Sequence, residues 1–315
     1  MLYEITGFDS TAISTYVNDF FRNLPIDKSE DAVRFLAFLD ENPHIAGACR
    51  IPINLELLCS AWERQPIPQG YYSITKIYDL VINALCRRYL ERAGMAVRDK
   101  DNRTVLKDCR WPLAFLEHFG FESVLQGKVF LPIDFTGDYL RKISDELKNE
   151  FVTQQKDFGF IRPNNPSGEY DGASLYYFNH LTFRDYFAAR FIAACLQEDC
   201  QSSAYRVGYF EHHWPETQYI SLLDFINRYR FDYRYVYVIS FILGLIDAVR
   251  DGFSLENFLY LLLKSGDKAE IGRFALVIQC LDEINEVEDI VPQVLWDYAR
   301  RWMKLFFKPP FTFLL

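Results

Sequence analysis

The chain is 315 residues long and half hydrophobic, with 28 Phe, 20 Tyr and a formal net charge of −9. That length accommodates two or three subdomains with real cores, and that composition excludes a disordered chain. The acidic balance argues against nucleic acid as the main partner, because phosphate binding draws its affinity from clustered Lys and Arg.

Leu2 to Thr6 reads as a strand tail with no sheet in this chain to join, and Gly7-Phe8-Asp9-Ser10 supplies a turn and a helix cap. The helix that follows buries Ile13, Val17, Phe20 and Phe21 by spacing. A second, Lys28 to Asp40, turns Ala32, Phe35, Leu36 and Leu39 inward. Asn42-Pro43 breaks it, His44 to Cys49 forms a short helical piece, and Pro52 opens another helix, where its missing amide leaves nothing unsatisfied. Gln65 to Gly70 is a linker. Ser73 caps a long helix, Ile74 to Ala93, with Ile77, Val81, Leu85 and Leu90 on one stripe.

Residues 94–105 are charged and predicted to be loop, and a helix from Lys107 to Phe119 is expected to end at Gly120. Phe135 to Gln155 predicts a helix with Leu140, Ile143, Leu147 and Phe151 inward. A strand restarting at Gly159-Phe160-Ile161, a turn at Asn164 to Gly168, a strand Leu175 to Asn179 and a closing helix then spell a winged helix with a two-stranded wing. Acids match or outnumber Lys and Arg between residues 137 and 180, so this wing is not expected to read DNA. Beyond residue 200, helices are expected around Thr217 to Asn227, Tyr235 to Val249, Leu255 to Leu263, Lys268 to Ile284 and Val291 to Phe307. Their lengths suggest antiparallel, HEAT-like pairs. After them, Pro309-Pro310 and an apolar tail hint at a further domain.

The fold class expected is therefore mainly α: a small helical subdomain over 1–66, a winged-helix subdomain over 67–200 and a helical subdomain over 201–315. Cys49, Cys59, Cys86, Cys109, Cys195, Cys200 and Cys280 include no CxxC pair, so a reducing, cytoplasmic setting is the simpler expectation. No secretory leader pattern opens the sequence, and the longest apolar stretches are too short or interrupted to span a bilayer.

Leu175 to Ala194 carries the chemistry of most interest. An apolar run reads as a strand, His180 stands at the corner, and Phe183, Phe187, Ala188 and Phe191 share one face of the helix beyond. A histidine there has two readings. It can donate to an anion alongside the free amides of the helix start, or serve as a satisfied structural residue.

The string Phe178-Asn179-His180-Leu181-Thr182-Phe183-Arg184-Asp185-Tyr186-Phe187-Ala188-Ala189 resembles the Phe-x-His-x-Thr-Phe-Gln-Glu-Phe-Phe-Ala-Ala signature closing the winged-helix subdomain of NACHT ATPases. These are signal-transducing NTPases of the STAND type that include the NOD-like receptors. Arg184 and Asp185 stand where the family has Gln-Glu. The resemblance runs from about Tyr3 to Leu196, and more loosely to about residue 250 through Phe241-Ile242-Leu243-Gly244-Leu245. It implies that His180 touches the β-phosphate of bound ADP, and that Pro52 packs against its adenine and ribose side. It also implies an upstream nucleotide-binding domain in cis, protein partners and self-association on activation.

The parts of an NTPase are missing from the sequence itself. There is no GxxxxGK[ST] loop and no apolar strand ending in paired acids, so this chain alone is not expected to be an enzyme or to hold a cofactor. ADP or ATP with Mg is expected only together with an upstream P-loop domain. His212-His213-Trp214-Pro215-Glu216 lacks the HExxH spacing that puts two ligands on one face. The competing reading is a free-standing helical interaction module, an intracellular effector or adaptor without a nucleotide site.

Overall fold

The computed structural model describes residues 7–26, 28–64, 72–132, 158–165, 174–199, 229, 232–247, 276, 280 and 283. The expected strand at 2–6, the linker at 65–70, the helix at 135–155, most of the expected helices beyond 200 and the His212-His213 pair lie outside them.

Helix α1 spans Ser10–Arg22, and the Asp9 carboxylate accepts from the Ala12 amide at 2.7 Å as its cap. Gly7 precedes it at φ +70, and a Cβ there would lie 2.5 Å from the Arg50 carbonyl oxygen. Only glycine lets the Phe8 amide come within 2.7 Å of that same oxygen, which ties the entry of α1 to the corner after α3. α2 is Ser29–Glu41, α3 Pro43–Ala48 and α4 Pro52–Arg64. Their inner faces meet in an aromatic seam in which the Trp62 ring lies 5.2 Å from Phe35 and 5.3 Å from Phe38. The expected inner residues Ile13, Val17, Phe21, Ala32, Phe35 and Leu39 are buried and Phe38 joins them, whereas Phe20 and Leu36 are only partly buried against the core.

α5, Ile74–Arg92, is capped by Ser73 and buries Ile77, Val81, Leu85 and Leu90 as the stripe predicts. The charged stretch after it differs from expectation. Asp101 accepts from the Thr104 amide at 2.8 Å and starts α6 at Asn102–Asp108, inside what reads as loop. Arg87 pins the turn before it, donating to the Val97 and Lys100 carbonyls at 3.0 and 2.7 Å and to Asn83 and Asn102. α7 then covers Arg110–Gln126 and leaves through Gly127, left-handed at φ +64.

Gly120 therefore does not end a helix. A Cβ on it would meet the Arg184 carbonyl oxygen at 2.8 Å and the Ala188 nitrogen at 3.0 Å, so this glycine is where a second helix crosses α7 backbone to backbone. That helix is α8, Leu181–Asp199.

The sheet is also larger than expected. β1 (Leu131–Pro132), β2 (Ile161–Pro163) and β3 (Leu175–Phe178) form three antiparallel strands in the order β1-β3-β2, with Ile161 opposite Phe178 and Leu131 opposite Tyr176. Both prolines sit on the edge strands, where a missing amide breaks no central ladder. Phe160, just before β2, packs its ring 5.2 Å from Phe183 and 5.0 Å from Phe187, fastening the sheet to α8. A 3-10 turn at Tyr233–Tyr235 leads into α9, Val236–Asp247, which packs against α8 and α5. The Tyr235 hydroxyl donates to the Val124 carbonyl at 3.1 Å, joining this segment to the end of α7. The described chain is mainly helical, with one small sheet.

Candidate functional site

His180 follows β3 and immediately precedes the first residue of α8, which makes it the cap of that helix. Its Nδ1 accepts the Thr182 amide hydrogen at 3.2 Å, and the Phe183 amide donates to the His180 carbonyl at 3.2 Å. Two of the helix-start amides that the sequence suggested would accompany the imidazole toward an anion, those of Thr182 and Phe183, are thus already engaged by His180 itself.

An amide can only donate, so the Thr182 N–H settles the histidine's proton: Nδ1 is an acceptor and the ring hydrogen is on Nε2. The Thr182 hydroxyl lies 2.9 Å from the same Nδ1 and acts as a second donor to it. Burial lowers the pKa of the half-buried imidazole, which keeps it neutral at pH 7. Among the described residues, Nε2 has no hydrogen-bond partner.

Pro52 occupies the first position of α4 and is exposed. Two residues on, Asn54 is buried and donates from Nδ2 to the Ala48 carbonyl at 3.2 Å, which leaves Oδ1 facing the hydroxyl of Tyr78 at 3.4 Å. The Tyr78 hydroxyl makes its shorter contact, 2.5 Å, with the Thr182 hydroxyl. A polar thread thus runs from the start of α4, through α5, to the start of α8: Asn54, Tyr78, Thr182, His180.

Asn54, Tyr78 and Phe183 from these ends line one small apolar pocket of about 20 Å³ with Cys49, Leu58, Ile77 and Val81, room for about one water, and Pro52 and His180 lie outside its lining. The two positions of interest, remote in sequence, thus belong to helices whose first turns converge on one place. Cys49 and Cys59 are buried and the Cys49 thiol is pushed up to about 12, so neither is a thiolate at neutral pH.

A second polar group sits deeper on α8. Arg190 donates to Glu117 of α7 at 2.8 Å and reaches Asp79 of α5 at 3.5 Å, while the Tyr186 hydroxyl donates to the same Asp79. Asp185 pairs with Arg184 at 2.6 Å, and burial raises its carboxyl to about 6 against the pull of that guanidinium. Helical periodicity does not reveal these partners. The available signal was an arginine set inside an apolar run, Tyr186-Phe187-Ala188-Ala189-Arg190-Phe191-Ile192, where a charge requires an answer from another helix.

Among the described residues, no three His, Cys, Asp or Glu side chains are grouped as metal ligands, and no helix is long and apolar enough to cross a membrane. Compared with known proteins, the chain matches no family model and no curated sequence.

Proposed function

We propose that this chain is the regulatory part of a NACHT-type signalling NTPase, reading the nucleotide held by an upstream P-loop domain and controlling closed-to-open switching and self-association. The observation that carries the reading is that the first turns of α4 and α8 converge around one small apolar pocket, while outside its lining Pro52 is exposed and a neutral His180 keeps one ring N–H unpartnered among the described residues. In the closed form, His180 donates from Nε2 to a β-phosphate oxygen of ADP while Pro52 packs against the adenine and ribose side. Exchange for ATP, with Mg, removes the fit, and the winged helix rotates away to expose an oligomerising surface. Such a switch requires only contacts that differ between the two states.

On this reading, residues 1–66 form the small helical subdomain, 67–200 the winged helix and 201–315 the second helical subdomain, in a cytoplasmic protein. The test is to isolate the native product from its source cells with an antibody against this chain, size it, and identify bound nucleotide after denaturation. A product well above 37.1 kDa that carries ADP is expected. A 37.1 kDa product without nucleotide sinks the proposal.

One observation favours the second reading, a free-standing interaction module. His180 already has structural work as the cap of α8, so its presence does not require a ligand.

A further inference from the structure

The tautomer of His180 is set by more than the helix it caps. The Thr182 amide reaches Nδ1 from within α8, and the Thr182 hydroxyl adds a second donor to the same nitrogen at 2.9 Å. That hydroxyl has one hydrogen. Giving it to His180 leaves its oxygen as an acceptor, and the Tyr78 hydroxyl donates to that oxygen from α5 at 2.5 Å. Tyr78 is 5 % exposed, and burial pushes its phenol far up, so it remains a donor over the whole physiological range. Its ring is held by Phe183, Tyr186 and Phe241, with centroids 5.2, 5.3 and 5.1 Å away, so the hydroxyl has little freedom to swing off.

We infer that Tyr78 and Thr182 are positioning residues that, through this directed chain of hydroxyls, hold His180 as a neutral donor with its proton on Nε2, the atom free to meet an anionic oxygen. The identity of that oxygen, a nucleotide phosphate, rests on the clamp proposed above; the positioning itself does not. The chain also gives α4 a hold on the donor. Asn54 Oδ1 is the other acceptor within reach of the Tyr78 proton, at 3.4 Å. Moving α4 toward Tyr78 draws that proton from Thr182 and loosens the fixed tautomer.

The test reads the tautomer directly, without nucleotide, by long-range proton–nitrogen NMR on the whole chain labelled at its five histidines. His180 is assigned by the signal that disappears in His180→Asn. The wild type should show the Nε2–H form. Thr182→Val, which keeps the amide and removes the hydroxyl, should lower the ratio of Nε2–H to Nδ1–H about five-fold, the value of one neutral hydrogen bond. Tyr78→Phe should move it in the same direction and less, and Thr182→Ser should restore the wild-type signal. An Nδ1–H signal in the wild type overturns the inference. So does an unchanged tautomer in a folded Thr182→Val. Because the readout involves no ADP, it stands or falls apart from the nucleotide clamp, which is judged on the native product.

Discussion

At its middle, α8 carries Tyr186 and Arg190; at its start it follows His180 and carries Thr182. The middle group is closed on itself. Arg190 answers Glu117 and Asp79, and Tyr186 answers Asp79 again, so the helices α5, α7 and α8 are locked by charges that point at one another. The start is open. Nδ1 of His180 is doubly engaged, while Nε2 has no partner among the described residues. Closed polar networks inside a fold specify one packing, and an open donor has capacity for something outside it. Mutations should separate the two, with the middle of α8 affecting stability and its start affecting recognition.

The largest loss is expected where α7 and α8 touch backbone to backbone. Gly120→Ala would drive a methyl into the Arg184 carbonyl oxygen and the Ala188 nitrogen, and neither can move without moving α8. Overpacking against rigid backbone costs about 3 kcal/mol. Urea unfolding monitored by tryptophan fluorescence should show the loss, and a near-neutral result would mean that the crossing is looser than the structure has it.

Gly120 also shows what sequence reasoning can and cannot reach. A glycine thirteen residues into an apolar pattern reads as an exit, because local chemistry knows no neighbour. Only the crossing with α8, more than sixty residues later, shows why it stands mid-helix. The inner faces of α1, α2 and α5 were legible for the opposite reason: a 3.6-residue period records burial without naming the partner. β1 escaped notice because two residues, one a proline, carry no period, and α6 because its signal is a single capping aspartate. In the site, the corner position of His180 and the helix-opening role of Pro52 could be read from neighbouring residues. The thread through Asn54, Tyr78 and Thr182 spans three helices, and no spacing encodes it.

Asp185, between the two groups, should make stability depend on pH. Its carboxyl is raised from 3.8 to about 6 in the fold by burial, with Arg184 opposing. A raised folded pKa contributes stability that is fully present below the unfolded value and is lost as pH rises through about 6. Wild type minus Asp185→Asn should therefore fall by roughly 2–3 kcal/mol in unfolding free energy between pH 4 and pH 7. A flat difference would mean that Arg184 keeps the carboxylate ionised throughout, and that this pair belongs with the closed charges of the middle.

Arg190→Met tests the closed network itself. The arginine side chain is 22 % exposed, so the carboxylates it leaves regain some water, and the loss should be about 2 kcal/mol rather than the larger cost of a fully buried charge. The same variant should leave the His180 tautomer unchanged, because no hydrogen bond among the described residues joins Arg190 to the thread. A tautomer shift on Arg190→Met would merge the two regions into one network.

The smallest stability effects, and the most discriminating ones, belong to His180. Replacement by alanine removes both the acceptor that caps α8 and the unpartnered N–H, so a drop of about 1 kcal/mol in stability is expected from the lost cap alone. That drop says nothing about a ligand. Asparagine separates the two roles, since its side-chain oxygen can accept from the Thr182 amide as Nδ1 does, while nothing replaces Nε2. His180→Asn should therefore unfold within about 0.5 kcal/mol of wild type. If the nucleotide clamp proposed above is right, the native product carrying this change should lose bound ADP faster than wild type on gel filtration. A variant that keeps both its stability and its nucleotide would leave the cap as the whole of the histidine's work.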